Sequence, residues 1–483
     1  MGKYITDYYL YKYRFIIGYT AIGIAVVALL IVMGLYVPGG LTNREMNSVV
    51  QSASLSIDTF DPASVINLPY LVLQRLSIEA FGISNLSIKL PSLLLAAASM
   101  IGILLLLRRW FQGNVALLTT IIVITTGQLL FIAQSGTASI MYVFSSVWLL
   151  LTALFVSRRV KWRTLWKIVL FAIAAISLYT PLSIYILIAL TSAVVLHPHL
   201  RYLVRRLSKV KVLIASTCAL ILLIPLIYSV AKDPHIILTL MGIPSSMPNL
   251  WVNFVKVLNQ YFNFISPTNG EFATPVYGLG PMLLVVLGAL RLVTTKYTAR
   301  SYIITIWTIL ILPVIVINPG FISVTFVPIV LLMAMGIEIL LGNWYKLFPR
   351  NPYARIAGLV PLAILIGGMV FSGGQRAIQG HRYAPESTTV FNQDLTFVDK
   401  ELNDKNRGNT LLVVGQKEVP FYGVVAKYHK NVTISTNLAP GSSTVIMTRI
   451  AKQQQPTFDF TRIITSRAST DADRLYIYKS DQK

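Results

Sequence analysis

The sequence predicts an α-helical polytopic membrane protein with about eleven transmembrane helices and a small C-terminal α/β domain outside the membrane. Of the 483 residues, 55% are hydrophobic and 12% are charged, and the mean hydropathy is +0.67. In soluble domains about a quarter of the residues are charged, so an ordinary soluble enzyme is excluded. The apolar residues are pooled into long runs, whereas the segment after about residue 374 has no such run.

Each predicted span approaches the length of about 20 residues that crosses roughly 30 Å of hydrocarbon. The first, near residues 15–37, is too long for a signal-peptide core and is followed by no small-residue cleavage site, so we expect it to be retained. The other predicted spans lie near 90–107, 115–133, 138–156, 168–180, 182–196, 212–230, 278–293, 302–318, 321–341 and 355–373.

The distribution of charge predicts the orientation of these spans. With the N-terminus placed in the cytoplasm, the cytoplasmic segments hold 21 basic residues and the opposite loops hold five. This asymmetry follows the positive-inside rule. The formal charge of +23 is therefore an orientation signal and does not indicate a nucleic-acid partner. We expect an integral protein of the plasma membrane with its C-terminal domain outside the cytoplasm.

Two long loops on the non-cytoplasmic side, residues 38–89 and 231–277, are where chemistry is expected, because the other connections are short. They belong to a predicted transmembrane domain, residues 1–373. Within the first loop, residues 43–55 and 68–81 are expected to be helical, the second lying on the membrane surface. A structured linker between two spans is the alternative interpretation of this loop.

Residues 374–483 carry 15 basic and 10 acidic residues and are predicted to form the soluble α/β domain. A helix is expected over 394–402, followed by a strand at 410–415 and a helix at 419–429. Further strands are expected at 431–436, 444–448, 462–466 and 474–479. This succession predicts a partly parallel sheet, to which we assign a binding or packing role.

Several enzyme classes are excluded because their motifs are missing from the sequence. The chain has no G-x-x-x-x-G-K-[ST], G-x-S-x-G, H-E-x-x-H or EF-hand string, so hydrolysis of nucleotide by this chain is not expected. Cys218 is the single cysteine, which excludes an intrachain disulfide and a cysteine-rich metal site.

The first long loop resembles that of lipid-linked-sugar glycosyltransferases of the GT-C superfamily, in particular the dolichyl-phosphate-mannose protein mannosyltransferase and aminoarabinose transferase group. The matching pieces are residues 41–46 (LTNREM), 67–70 (NLPY), 81–85 (FGISN) and 89–92 (KLPS), followed by Arg108 and Arg109. Weaker likeness continues through 177–181 (SLYTP). The acidic pair of that group is usually Asp-Glu, and here it is Arg44-Glu45. Residues 133–138 (AQSGTA) also depart from the Arg-rich or acidic turn that relatives often carry.

The resemblance implies a GT-C-like fold and transfer of a sugar from a polyprenyl phosphate, which requires a base for the acceptor proton and a cation for the phosphate. Glu45 is our candidate base because it occupies the surviving acidic position of the motif. Asp58 and Asp61 are the reserve candidates. Asp61 precedes Pro62, so turn or capping chemistry explains this pair equally well.

Basic residues are scarce in the non-cytoplasmic loops, and we therefore consider Arg44, Lys89 and Lys256 as candidates to bind the phosphate. Pairing with lipid headgroups is the alternative. Glu271 is the candidate for a substrate contact from the second loop.

The sequence thus predicts a membrane glycosyltransferase, inverting at the sugar, that moves a sugar from a polyprenyl-phosphate donor to an extracytoplasmic lipid, glycan or protein acceptor. The alternative is a non-catalytic membrane protein of glycan assembly, either a lipid-linked glycan carrier or a scaffold that presents its outer domain. No cofactor is identified, and a divalent metal ion is left open.

Overall fold

The computed structural model shows a helical bundle that carries a small sheet domain at its C-terminal end. It describes residues 13–37, 39–55, 61–158, 162–265, 268–269, 273–295, 298–347, 352–383, 390–392, 394–402, 410–429, 432–437, 444–454, 460–465 and 474–479.

The first half of the bundle contains eleven described α-helices. They are α1 (Arg14–Leu35), α2 (Asn43–Ser54), α3 (Leu68–Phe81), α4 (Asn85–Trp110), α5 (Gly113–Ile124), α6 (Gly127–Gln134), α7 (Ser139–Ser157), α8 (Arg163–Ser177), α9 (Ile184–Leu196), α10 (Pro198–Arg205) and α11 (Lys209–Lys232).

The second half begins with the long loop that contains α12 (His235–Leu240), α13 (Leu250–Phe262) and two short strands, β1 (Thr268–Asn269) and β2 (Ala273–Thr274). The remaining bundle helices are α14 (Leu279–Thr294), α15 (Ala299–Ile317), α16 (Phe326–Leu347) and α17 (Pro352–Tyr383).

The chain is an integral membrane protein of the predicted helical class. By length and composition, seven of the described helices can cross a membrane, and two bent helix pairs raise the number to nine. Two shorter apolar helices, Thr164–Ser177 and Leu279–Thr294, occupy the remaining two predicted spans. Every predicted span therefore coincides with a helix or with a bent pair.

Two predicted spans differ from simple helices. The span predicted at 115–133 breaks between α5 and α6 with a bend of 60°. The hydroxyls of Thr125 and Thr126 at the break donate to carbonyls three residues earlier, which competes with helix continuation. Helices α9 and α10 meet at 95°, where Pro198 has no N–H to continue the helix. Hydropathy alone does not locate either bend.

The two helices predicted in the first long loop are confirmed as α2 and α3. Helix α2 begins at a capping box formed by Thr42 and Glu45, and α3 begins after Asn67, which has a left-handed φ of 61°. Pro69 follows within the first turn of α3, where its missing N–H has no helical partner to lose.

The C-terminal domain contains a five-stranded sheet. Its elements are α18 (Asp394–Leu402), β3 (Thr410–Val413), α19 (Val419–Lys427), β4 (Val432–Ser435), β5 (Thr444–Met447), α20 (Arg449–Gln454), β6 (Arg462–Thr465) and β7 (Arg474–Lys479). The strand order is β4-β3-β5-β7-β6, with β3 parallel to β4 and β5, and β7 antiparallel to β5 and β6. The partly parallel sheet expected from the sequence is confirmed.

Helix α17 continues to Tyr383, beyond the predicted domain boundary at 373. Hydropathy marks the apolar part of a helix and does not mark its end.

The C-terminal domain packs directly on the first long loop. Met46 and Val49 of α2 share one buried cluster with Phe421 and Tyr422 of α19. Leu41 pairs with Asn392 through two backbone hydrogen bonds of 2.7 and 2.8 Å. Helix α2 therefore lies between the C-terminal domain and the bundle.

Helices α14 and α16 cross at two glycines. A Cβ added to Gly288 would overlap the carbonyl oxygen of Leu332, and one added to Gly336 would overlap that of Leu284. Small residues allow this close backbone approach, which is a common way for helices to associate in a membrane.

We expect Gly288→Ala and Gly336→Ala each to lower the melting temperature of the detergent-solubilised protein, because the helices must separate to admit the methyl group. Gly342→Ala is the matched control on α16, since a Cβ at that position meets nothing within 4 Å. Equal melting temperatures for all three variants would contradict close packing at this crossing.

Candidate functional site

A cavity of about 570 Å³ lies at the end of the bundle that faces the C-terminal domain. Its walls come from α2 and the start of α3, from the connection between α6 and α7, from residues 180–181, from Val276 and from residues 318–324. These are the two long loops and the short connections that the charge pattern places on one side of the membrane. The folded chain thus gathers five separate predicted loops around one space.

The cavity wall combines apolar surface with many neutral polar side chains. Hydroxyl and amide side chains contribute from several elements: Asn47, Ser48, Gln51, Asn67, Gln128, Ser135, Thr137, Ser139, Tyr142, Thr180, Asn318 and Ser323. Arg44 is the one charged residue among the lining residues that the structure describes. Such a wall can donate and accept hydrogen bonds to hydroxyl groups and offers one cation to an anionic group.

Arg44 reaches the cavity because of its place on α2. Residues at positions i, i+3, i+4 and i+7 share one face of a helix, and Arg44, Asn47, Ser48 and Gln51 all line the cavity. A Cβ built on Gly320 would lie 3.9 Å from Arg44 Nη2. The guanidinium therefore extends from α2 toward the turn at residues 318–320.

Glu45, the next residue, is fully buried and does not line the cavity. Its Oε2 accepts a hydrogen bond from Thr42 N (2.6 Å), and Thr42 Oγ1 accepts one from Glu45 N (3.2 Å). Its Oε1 accepts a hydrogen bond from Gly136 N (2.6 Å) in the connection between α6 and α7. One carboxylate thus caps α2 and ties it to a second wall of the cavity.

Lys89 is the cation beside Glu45 and is equally buried. Its Nζ lies 3.8 Å from Glu45 Oε1 and donates to Gly40 O (2.8 Å) and Gln134 Oε1 (3.0 Å). Burying a charge without a partner is costly, and here each charge has an opposite charge and several hydrogen bonds. Lys89 thereby joins α4, the segment before α2 and the end of α6.

The connection between α6 and α7 is held by two further side chains, Gln74 and Ser92, each of which has a second partner. Gln74 Nε2 donates to Gly136 O (3.0 Å), while Gln74 Oε1 accepts from Ser48 Oγ (2.8 Å). Ser92 Oγ donates to Thr137 O (3.4 Å) and pairs with Tyr70 Oη (2.8 Å). Burial raises the pKa of the Tyr70 hydroxyl, and the nearby Glu45 carboxylate adds to the shift. Tyr70 therefore remains a neutral hydroxyl across the physiological pH range.

The structure brings together some of the residues that the sequence singled out and leaves others apart. Arg44, Glu45 and Lys89 lie together, and only Arg44 lines the cavity. Asp61 is exposed and its Oδ1 accepts from Ala63 N (3.2 Å), which caps the short 3₁₀ helix Pro62–Val65. Lys256 is exposed on α13 and is absent from the described lining.

Two further candidates, Asp58 and Glu271, lie outside the described residues.

The sequence analysis did not identify Gln74, Gln134 and Gly136 as site residues. Gln74 shares the buried face of α3 with Tyr70, Leu71, Ser77 and Ile78, and a large amide at that spacing is the one signal that could have marked it. Residues 134 and 136 belong to the 133–138 segment, which departs from the relatives, but its sequence does not indicate a partner for either residue.

Within the described part of the chain, no group of three or more His, Cys, Asp or Glu side chains could hold a metal ion.

Comparison with known proteins agrees with the fold and includes the last part of the first loop. The family model described as dolichyl-phosphate-mannose-protein mannosyltransferase matches residues 69–228. No curated protein has a sequence significantly similar to this one.

Two solved structures share the architecture over almost the whole chain. The crystal structure of ArnT from Cupriavidus metallidurans bound to undecaprenyl phosphate has a TM-score of 0.58 at 12% identity and covers 97% of this chain and 99% of that chain. The apo-state structure of the same protein has a TM-score of 0.55 at 12% identity, with 95% and 97% covered. At this identity the likeness establishes the fold. The resemblance to the GT-C membrane glycosyltransferases, in family model and in fold, is confirmed.

The burial of Glu45 and Lys89 leads to a prediction about the free energy of unfolding. Lys89→Met would leave the Glu45 carboxylate buried without its counter-charge, so we expect a loss of about 3–5 kcal/mol in the free energy of unfolding. The double variant Lys89→Met/Glu45→Gln removes both charges and should recover part of that loss. Unfolding of the purified protein in detergent measures both effects.

Arg75→Gln is the control, because Arg75 forms a solvent-accessible pair with Glu79 at 2.7 Å on the same loop, and its other partner, Leu55 O, lies at the opposite end of α2 from Glu45. Exposed pairs contribute about 0–1 kcal/mol. If Lys89→Met were no more destabilising than Arg75→Gln, the buried pair would not be what holds these segments together.

Proposed function

We propose that this protein is a membrane glycosyltransferase that moves a sugar from a polyprenyl-phosphate donor to an extracytoplasmic acceptor. The observation that carries the proposal is a cavity whose described lining combines apolar surface with neutral hydroxyl and amide side chains and has Arg44 as its one charged residue. An arginine can form two parallel hydrogen bonds to a phosphate, and hydroxyl and amide groups match the hydroxyls of a sugar.

The size and position of the cavity also support the proposal. A volume of about 570 Å³ falls within the range of roughly 300–1,000 Å³ that is typical of small-molecule sites. The cavity lies at the ends of apolar helices, where a lipid-borne phosphate would enter from the bilayer. ArnT, which shares this fold, was crystallised with undecaprenyl phosphate. We infer that the same class of lipid phosphate is the donor carrier here.

We place the cavity and the C-terminal domain on the extracytoplasmic side of the plasma membrane. The support is the distribution of 21 basic residues on the opposite side against five in the loops that surround the cavity. The acceptor is then a lipid, a glycan or a protein of the extracytoplasmic compartment.

The proposed reaction is a displacement at the anomeric carbon of the donor sugar. The acceptor oxygen forms a bond to that carbon while the bond between the carbon and the phosphate oxygen breaks, and the electron pair of the breaking bond moves to the phosphate. A carboxylate takes the acceptor proton, and Arg44 stabilises the charge that grows on the leaving phosphate. Attack opposite the leaving phosphate inverts the configuration of the sugar.

We expect Arg44→Gln to weaken binding of undecaprenyl phosphate and to leave binding of undecaprenol unchanged, because only the first ligand carries the phosphate. Transfer from undecaprenyl-phosphate sugars should fall by about 10²-fold in kcat/KM, the usual cost of removing one charge-stabilising donor. Ligand-dependent thermal shifts and sugar transfer in proteoliposomes measure the two effects.

Arg75→Gln is the matched control, since Arg75 is a half-buried cation of the same loop that pairs with Glu79 and Leu55 O and is absent from the described cavity lining. If Arg44→Gln bound undecaprenyl phosphate as tightly as Arg75→Gln, Arg44 would not be the phosphate ligand.

The base is sought among the loop carboxylates Asp58, Asp61 and Glu271, in addition to Glu45. We expect Asp58→Asn, Asp61→Asn or Glu271→Gln to lower kcat by about 10²–10⁴-fold while undecaprenyl phosphate still binds, as removal of a general base does. Glu79→Gln is the control for loss of a loop carboxylate. Full activity in all three variants would exclude Asp58, Asp61 and Glu271 as the base and would leave Glu45 as the remaining candidate.

One observation favours the non-catalytic alternative, a carrier or scaffold for a lipid-linked glycan. The described cavity lining contains no carboxylate. Such a protein would bind undecaprenyl phosphate through Arg44 and would transfer no sugar from any undecaprenyl-phosphate sugar tested. The same proteoliposome assay therefore separates the two functions.

A further inference from the structure

We infer that Glu45 is a positioning residue, whose buried carboxylate sets the relative position of two walls of the cavity. One wall is the cavity face of α2, which carries Arg44. The other is the turn at residues 135–138, defined here as the Gly136 turn, which contributes Ser135, Thr137 and Ala138 to the lining. The inference rests on the proposed function, because the positioned group is the proposed phosphate ligand.

The first support is that two separate links join α2 to the Gly136 turn. In the direct link, Glu45 Oε1 accepts a hydrogen bond of 2.6 Å from Gly136 N. In the indirect link, Ser48 Oγ donates to Gln74 Oε1 (2.8 Å), and Gln74 Nε2 donates to Gly136 O (3.0 Å). The N–H and the carbonyl of one glycine are thus held from the same helix by two routes.

The second support is that the carboxylate of Glu45 is already occupied. Both of its oxygens accept backbone N–H groups, from Thr42 and from Gly136, and Lys89 Nζ lies 3.8 Å from Oε1. The side chain is 1% exposed. A general base needs hydrogen-bond reach to the proton of the acceptor, and this carboxylate would have to release a wall of the cavity to gain it.

The third support is the fit at Gly136 itself. A Cβ there would lie 2.9 Å from Ile88 Cγ2 and 3.3 Å from Glu45 Oε1. Only a residue without a side chain leaves the carboxylate room to approach the backbone this closely. The absence of a side chain at residue 136 therefore allows the Glu45 carboxylate to hold this turn.

The placement of Arg44 and Glu45 on different faces of α2 explains how Glu45 can be required for sugar transfer without touching the substrate. Arg44 and Glu45 are adjacent on α2, so they project about 100° apart around the helix. One faces the cavity and the other fixes the helix that carries it. Displacement of a binding group by about 1 Å can cost about 10²-fold in rate, which sets the sensitivity expected of such a residue.

The test compares Glu45→Gln, which breaks the direct link, with Gln74→Met, which breaks the indirect link. Because glutamine has one acceptor oxygen, it cannot accept from Thr42 N and Gly136 N together. We expect each variant to lower kcat for sugar transfer by about tenfold to a hundredfold and to weaken undecaprenyl phosphate binding by a similar factor. The pH profile of kcat/KM should keep the wild-type limbs, and added formate should restore no activity.

Gln379→Met is the matched control, because Gln379 is exposed on α17 and lies outside the cavity. A Glu45→Gln protein that loses the acidic limb of the pH profile, or that formate restores, would overturn the inference, since both results identify a base. Wild-type transfer and binding in both Glu45→Gln and Gln74→Met would overturn it as well.

If Glu45→Gln fails to fold, Gln74→Met still breaks one link to the Gly136 turn and decides the outcome by the same criteria. If the wild-type protein transfers no sugar, the proposed function fails, and undecaprenyl phosphate binding by the two variants still tests the positioning of Arg44. Weaker binding would then support the inference, and wild-type binding would overturn it.

Discussion

The burial of one carboxylate constrains the whole region around the cavity. Glu45 is surrounded by protein, and an ionised group in that position must receive hydrogen bonds and an opposite charge. Thr42, Gly136 and Lys89 meet this requirement from three places in the chain. Because Lys89 also binds Gly40 and Gln134, the segments before α2, at the start of α4 and at the end of α6 cannot move independently.

The bilayer imposes the second constraint. Backbone groups within hydrocarbon must be satisfied inside the protein, so irregular backbone is tolerated only where it is buried or lines a cavity. The break between α5 and α6 obeys this rule, since Thr125 and Thr126 satisfy nearby carbonyls with their hydroxyls. The same break redirects α6 and leads to the polar Gly136 turn, which could not face lipid. The bend in this span thus places the Gly136 turn beside the cavity, at the end of an apolar bundle.

The C-terminal domain completes the surroundings of α2. Met46 and Val49 bury their side chains with Phe421 and Tyr422, while the opposite face of the helix lines the cavity. A helix of 12 residues is marginal on its own, so packing on both sides determines where it lies. This arrangement gives the domain a packing role beside the site. It also links any partner of the domain to the position of Arg44 through a single short helix.

The amino-acid sequence determined the features that depend on local composition and on repeated pattern. Apolar run length predicted the apolar helices and bent pairs of the bundle. The succession of strand, helix and strand predicted the partly parallel sheet, and the residue pattern of the first long loop predicted α2 and α3. The scarcity of basic residues in the loops marked Arg44 and Lys89 as candidates, and the resemblance marked Glu45. These inferences need only neighbours in sequence.

The tertiary structure decided which of those charges faces the cavity. Gly136 meets Glu45 from a position 91 residues away along the chain, and Gln74 meets Gly136 from a position 62 residues away. Nothing local in the sequence records those contacts. The direction of a side chain on a helix depends on what packs against each face. For this reason the sequence could mark Arg44 and Glu45 as a pair, and only the packing of α2 between two domains assigned one to the cavity and the other to the interior.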